Sequence, residues 1–219
     1  MKKTPAQHQP STPIEASQAE ASTSVTRGWR EGLPVLSHAA VVLRELTVED
    51  APALLAHLGT PEASRFIAPL PTSVDGFREF IATAARERAQ GQSATFGVLP
   101  AGSDHVVGFF QIRALEVDFT GAEWSFVLGS SYWGSGLFLD CARMVLDFSF
   151  EILGVIRLEA RAVTLDGRGN GALRKIGAVQ EGVLRRSFKR SGQRYDQLLW
   201  AVLAEDWRLH RQGRPRVVH

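Results

Sequence analysis

Gly129-Ser130-Ser131-Tyr132-Trp133-Gly134-Ser135-Gly136 is the stretch on which the reading of this chain turns. Small residues crowd it, and an apolar stripe of Leu137, Cys141, Val145 and Ile152 starts directly behind it and runs to Gly154. That pattern predicts a loop opening into a long helix. Glycine lets backbone N–H groups approach a ligand with no Cβ in the way. The first turn of a helix adds unpaired N–H groups and the positive end of a dipole. Together they predict a cradle for a pyrophosphate. The neighbouring motif classes do not fit. Leu139 stands where a dinucleotide fingerprint needs its third glycine, and neither a Gly-Lys-Ser/Thr phosphate loop nor a Gly-x-Ser-x-Gly nucleophile elbow occurs.

Working outward, the runs 94–99, 106–115 and 122–128 follow one another with only turns between them, which predicts an antiparallel meander. Before them lie a strand over 41–46, a helix carrying Ala53, Leu54, Leu55 and Leu58, and a second helix over 74–90 with Phe77, Phe80, Ile81 and Ala84 on one face. After the long helix, residues 155–163 alternate, with Ile156, Leu158, Ala160 and Ala162 on one side and Arg157, Glu159 and Arg161 on the other. A polar loop at 166–170, a short helix ended by Gly177, and strands over 179–189 and 195–203 joined at Ser191-Gly192 complete the order. This order predicts an α/β (α+β) fold, a three-layer α-β-α sandwich around a mixed, mostly antiparallel sheet.

The 219 residues carry a net charge of +2 and are 44% apolar, which fits a globular domain and argues against a dedicated nucleic-acid binder. Residues 1–26 read as a disordered tail, 27–40 as a connecting segment, 41–208 as the domain and 209–219 as a loose basic end. One cysteine, Cys141, allows no intrachain disulfide, and the histidines lack metal-binding spacing, so no metal is expected. No apolar run is long enough to span a membrane and no secretory h-region follows Lys2-Lys3, so a cytoplasmic location is expected.

From Ala122 to Trp207 the chain resembles the GCN5-related N-acetyltransferases (GNAT), most closely the RimJ/RimL-type branch that acetylates protein N-terminal amines. Ser131, Gly134 and Gly136 match the family's loop motif, Trp133-Gly134-Ser135-Gly136 its aromatic-Gly-x-Gly variant, and Asp140 the acidic residue that follows. Asp166, Gly169, Lys175-Ile176-Gly177-Ala178, Glu181-Gly182, Tyr195-Asp196 and Glu205-Asp206-Trp207 match the later motifs, and 43–50 the opening strand and helix. Three positions depart: Asp166 stands for the usual Asn, Gly169 for a Ser, and Leu173 for a tyrosine general acid.

The resemblance implies the GNAT sandwich and an acetyl-CoA-dependent transfer to a primary amine, of a protein N-terminus or a small molecule. It implies coenzyme A contacts from the backbone of Phe126, Val127 and Leu128, from the loop residues Ser131, Tyr132, Trp133, Gly134, Ser135 and Gly136, and from Asn170 and Lys175. Arg168 and Arg174 are further candidates for the phosphates. Glu123, at the start of the strand before the loop, is the expected base, Asp196 its rival, and Tyr195 the candidate acid. Arg185, Arg186, Lys189, Arg190 and Arg194 crowd the last hairpin, where they would attract an acidic substrate or a ribosomal surface, or form a solvated face. Two other readings stand beside the enzyme: an acyl-CoA-sensing module without turnover, and an RNA- or ribosome-associated basic module. A homodimer is left open.

Overall fold

The computed structural model describes residues 28–212. The expected N-terminal tail and the last residues of the basic end lie outside the described residues. Strands β1 (Leu36–His38) and β2 (Val41–Glu45) precede helices α1 (Ala51–Leu58), α2 (Pro61–Ser64) and α3 (Val74–Ala89). The meander follows as β3 (Ser93–Pro100), β4 (Gly108–Ala114) and β5 (Gly121–Leu128), then α4 (Leu137–Glu151). The chain closes with β6 (Arg157–Val163), α5 (Gly167–Lys175), β7 (Val179–Arg190), β8 (Gln193–Leu203) and α6 (Ala204–Arg211). All eight strands form one sheet in the order β1-β2-β3-β4-β5-β6-β8-β7. Every neighbouring pair is antiparallel except β5 and β6.

Local chemistry sets the helix ends. Ser73 Oγ accepts from the Gly76 N–H at 3.1 Å and starts α3. Gly154, at φ 77°, turns the chain out of α4 in a conformation that costs a side chain about 1–2 kcal/mol. The sheet then buries both faces. On one, Phe96, Phe110, Ile112 and Trp124 pack with Val145, Leu146 and Phe148 of α4 and Leu173 of α5. On the other, Phe109 and Val127 pack with Leu54 and Leu58 of α1 and Phe77 and Ile81 of α3. The layers are therefore helix, sheet, helix.

Two details differ from the sequence reading. Residues 28–40 do more than connect: β1 pairs with β2, and Trp29, 4% exposed, meets Phe119 edge-on at 5.5 Å. A large ring near a short edge strand is a packing residue, and the meander leaves a slot for it. Ile156, grouped by alternation with Leu158, Ala160 and Ala162, is 60% exposed while those three are buried. It precedes β6, held there by its N–H to Thr120 O and by its own carbonyl, which accepts from Ala204.

Candidate active site

The sheet divides at its one parallel pair. β5 and β6 keep register only at Gly121↔Arg157, Ala122↔Leu158 and Glu123↔Glu159, and then part. The hydrogen-bond parity shows what the division exposes. Leu115 N–H donates to Gly121 O and Gly129 N–H to Val107 O, so odd-numbered residues of β5 turn their backbone to β4. Thr120 O accepts from Ile156 N–H, so even-numbered residues face β6. The N–H groups of Phe126 and Leu128 therefore open onto the gap, with no strand opposite. On the far side Ala204 N–H donates to Ile156 O, which turns even-numbered residues of β6 to β8 and leaves Arg161 and Val163 facing the gap. A peptide-like arm lying in the gap would find donors and acceptors on both walls.

Side chains follow the opposite sorting. Trp124 and Phe126 point into the α4 layer, where Phe138 lies 4.6 Å from Phe126 between ring centres. Glu123, exposed Ser125 and Val127 point to the face carrying α1 and α3. At the apex of the fork Arg161 Nε lies 3.6 Å from Glu123 Oε1, and its Nη2 lies 3.9 Å from Glu159 Oε2. Arg157 holds Glu159 at 2.9 Å and also binds Glu181, whose carboxyl it keeps below the usual carboxylate range. The apex thus sets two partly buried carboxylates, Glu123 and Glu159, against the guanidiniums of Arg161 and Arg157.

The open end of the fork carries the glycine loop. Gly134 (φ 78°) and Gly136 (φ 90°) both lie in the left-handed region, and nothing approaches within 4 Å of where their Cβ atoms would be. Tyr132 N–H returns to Gly129 O, Trp133 N–H to Ser130 O, and Leu137 N–H to Ser135 Oγ. Ser135 Oγ itself donates to Tyr132 O, and Ser131 is exposed at the rim. The N–H groups of Gly134, Ser135, Gly136 and Phe138 have no internal acceptor among the described residues. Four free donors at a helix N-terminus suit a diphosphate.

Trp133 ties this loop to both arms. Its Nε1 donates to Leu128 O at 3.0 Å, and the Arg168 guanidinium lies 3.9 Å from its ring centre. His57, at the end of α1, meets the Tyr132 ring edge-on at 5.6 Å and lines Gly129.

The other candidates are placed elsewhere. Asn170 is 6% exposed; its Nδ2 donates to Val163 O and Asp166 O, and its Oδ1 accepts from Trp200 Nε1. Its amide thus closes the β6–α5 corner. Lys175 is exposed in the last turn of α5, about 12 Å along the helix from Gly167. Val127 turns its backbone to Phe109 of β4. Tyr195 donates to Gln193 Oε1, and Asp196 Oδ1 accepts from the Arg186 N–H at a bulge of β7. Glu123 is level with Ala201 through Glu159, so Tyr195 and Asp196 stand some 16–20 Å further along β8. The fold does not bring them to Glu123. The departures at 166 and 169 are coupled: Asp166 caps α5 by accepting from Gly169 N–H at 2.9 Å, and a Cβ at 169 would run into the Asp166 carboxylate. Leu173, 1% exposed, is a core residue.

Glu159, Arg161 and His57 were not singled out from the sequence. Glu159 and Arg161 show there only as the polar half of an alternating strand, and a parallel register is needed to set them beside Glu123.

Comparison with known proteins agrees with this geometry. Residues 40–179 match the family described as acetyltransferase (GNAT) domain. The uncharacterized N-acetyltransferase p20 of Bacillus licheniformis is 24% identical over 76% of this chain and 94% of its own length. The uncharacterized N-acetyltransferase YoaA of Bacillus subtilis is 25% identical over 78% of this chain and 97% of its own length. Mycobacterium smegmatis RimJ, solved in complex with CoA-disulfide, superposes with a TM-score of 0.71 at 23% identity, covering 80% of this chain and 90% of that one. A RimL structure, described as a ribosomal L7/L12 alpha-N-protein acetyltransferase in complex with coenzyme A, gives a TM-score of 0.71 at 15% identity, covering 78% and 98%. No helix among the described residues is long and apolar enough to cross a membrane. The forked sheet with its glycine loop and the match across most of the domain have one meaning: the chain belongs to the GNAT acetyltransferase family, in its RimJ/RimL-like branch, and is an N-acetyltransferase that uses acetyl-CoA.

Proposed function

We propose that the chain acetylates the N-terminal amine of a polypeptide and that Glu123 is the base. The observation that carries this reading is the fork, with backbone donors facing the gap and the Glu123 carboxylate on the open face at its apex. Acetyl-CoA supplies an acyl group already activated as a thioester. The protein's share of the rate then comes from positioning and from proton handling.

An amine arrives at neutral pH mostly as an ammonium. The Glu123 carboxylate draws it by charge and takes its proton, directly or through one water. Arg161 orients that carboxylate. The N–H groups of Phe126 and Leu128 are the donors to hold the arm and to take up charge on a carbonyl oxygen in the gap. The free N–H groups of the glycine loop, with Arg168, would hold the diphosphate. Tyr195 and Asp196 enter as residues that shape the hairpin. A sensor without turnover has no use for a carboxylate at the apex, which favours the enzyme.

A polypeptide acceptor is supported by the description of the RimL structure as a ribosomal L7/L12 alpha-N-protein acetyltransferase. The test measures thiol release from acetyl-CoA across peptides with free N-termini, the same peptides with blocked N-termini, a polyamine, an aminoglycoside and free amino acids. Release with free-N-terminus peptides only, with the acetyl group located there by mass spectrometry, is the expected result. Release confined to small amines overturns the reading.

A further inference from the structure

We propose that Glu87 of α3 is a positioning residue for the base: it holds Arg113 away from Glu123 and so leaves the Glu123 carboxylate free to take a proton. This deepens the reading of Glu123 given above and rests on it, whatever the acceptor amine.

Strand register sets the arrangement. Ser93 of β3, Arg113 of β4 and Glu123 of β5 stand directly opposite one another, and Glu159 of β6 continues the row. All four point to the face carrying α1 and α3, because their even-numbered neighbours Ala94, Ile112, Ala122 and Leu158 lie in the α4 core. An arginine and a glutamate opposite each other on one face of a sheet ordinarily pair. Arg113 turns elsewhere. Its Nη1 donates to Glu87 Oε1 at 3.2 Å and its Nη2 to Glu87 Oε2 at 3.0 Å. Ser93 Oγ donates to the same Oε2 at 2.8 Å, so the Glu87 carboxylate sits over β3 and draws the guanidinium away from β5. The more buried carboxylate has the stronger need of a partner: the Glu87 side chain is 19% exposed and that of Glu123 30%.

Glu123 is left loosely accompanied. Arg161 Nε, at 3.6 Å, is its ion-pair contact among the described residues, and the same guanidinium lies 3.9 Å from Glu159 Oε2. Glu159 is taken by Arg157. Glu116 lies against Gly121, one step along the same face, and accepts from Thr120 Oγ1. Among the described residues no side chain donates a hydrogen bond to the Glu123 carboxylate. Glu181 shows what a closer grip does: two bonds from Arg157 keep its carboxyl below the usual carboxylate range. A base held in that way gives up part of its basicity and part of its pull on an ammonium. Arg113, released from Glu87, is the arginine placed to take such a hold.

The test compares Glu87→Ala, Arg113→Ala and the double variant in the full chain. It measures thiol release from acetyl-CoA with a free-N-terminus peptide, or with a polyamine if peptides are not turned over. Glu87→Ala should lower kcat/KM for the amine roughly tenfold, with coenzyme A affinity by calorimetry unchanged. Arg113→Ala alone should stay near the wild type, and the double variant should return to that level. Glu87→Gln keeps the size and an acceptor for Ser93, should show a smaller loss, and with Arg113→Ala as its rescue carries the comparison if Glu87→Ala does not fold. A double variant no better than the single one means that the pair only supports the fold, and overturns the proposal. So does a Glu87→Ala enzyme as active as the wild type. Wild-type turnover by Glu123→Gln overturns the reading of the base instead. Denaturant melts give an answer that needs no turnover: Arg113→Ala and Glu123→Ala should couple more strongly in the Glu87→Gln background than in the wild type, because the two side chains meet only there. Equal coupling in both backgrounds overturns the proposal.

Discussion

The Arg168 guanidinium lies 3.9 Å from the centre of the Trp133 indole. Arg168 belongs to the helix that follows β6, and Trp133 to the loop that follows β5, so this contact joins the two arms of the fork at their open end. The same indole donates to Leu128 O, which fixes the ring that the arginine covers.

Removing the charge at this bridge should loosen cofactor binding without loosening the fold. An exposed cation–π contact is worth about 0.5–1 kcal/mol, and Arg168 is proposed to meet a phosphate as well. Arg168→Ala should weaken coenzyme A binding roughly tenfold by calorimetry, with Arg168→Lys between the two and the melting temperature nearly unchanged. Wild-type affinity in the alanine variant would remove Arg168 from the site.

Gly134→Val and Gly136→Val separate strain from contact. Nothing crowds either position within 4 Å, so the penalty on folding is that of a side chain at positive φ, about 1–2 kcal/mol. The loss of coenzyme A affinity should exceed what that strain explains, because the added side chains stand where a diphosphate approaches the free N–H groups. Folded variants that bind normally would move the site elsewhere.

Glu123→Gln keeps size and hydrogen bonding but removes the charge. Turnover should fall roughly 10²-fold or more at pH 7, with coenzyme A affinity little changed. The deficit should narrow as pH rises, because more of the amine arrives deprotonated. A variant that turns over like the wild type at pH 7 assigns the proton transfer to another group, and Glu159→Gln is then the variant to measure.

The Asp50–Arg44 pair makes acid stability readable. Burial pushes the Asp50 carboxyl up, but hydrogen bonds from Arg44 at 2.7 Å and from Thr47 N–H outweigh it and hold the carboxyl below its ordinary value. Its contribution is fully present above the ordinary carboxylate pKa, roughly 4, and is lost as pH falls through the lowered value. Asp50→Asn should cost about 2 kcal/mol at pH 7, the scale of hydrogen bonds to a charged group. Denaturant melts should then converge with the wild type in acid. A gap that stays constant with pH would mean the cost is packing alone.

Cys141 should be inert in the native protein. It is buried, and desolvation with the nearby Asp140 charge pushes its thiol up to about 12. Thiolate is the reactive form, so alkylation at pH 8 should require unfolding. Rapid labelling of native protein would contradict the packing described for α4.

The order of elements was legible in the sequence because each carries its own period: Phe77, Ile81 and Ala84 repeat as a helix face, and Leu158, Ala160 and Ala162 alternate as a strand. The glycine loop was legible because Gly134 and Gly136 need a backbone that other residues avoid. What could not be read was register. Nothing local in Arg157–Val163 says that it runs parallel to β5 for three residue pairs and then departs, so the grouping of Glu123, Arg161 and Glu159 was invisible. Asn170 looked like a ligand contact because an amide in a glycine-rich loop is usually exposed; its inward turn depends on Trp200, thirty residues away. Tyr195 and Asp196 looked catalytic by motif, and the β7 bulge that engages Asp196 has no sequence mark of its own.

The parity of β5 has a consequence for how this protein can change over generations. Three duties fall on one strand, and each is carried by different atoms. The N–H donors that face the gap belong to the main chain of Phe126 and Leu128, and every substitution except proline leaves them in place. The core belongs to the side chains of Trp124 and Phe126, where substitutions are filtered by packing. The face proposed to meet the acceptor carries the side chains of Glu123 and Ser125, which lie outside the core. Substitutions at 125 can therefore change the open face while Glu123, the donors facing the gap and the core stay as they were. Relatives only 24–25% identical over most of the domain fit a strand whose main chain and side chains carry separate duties, so that much of the sequence can change while the main-chain pattern stays.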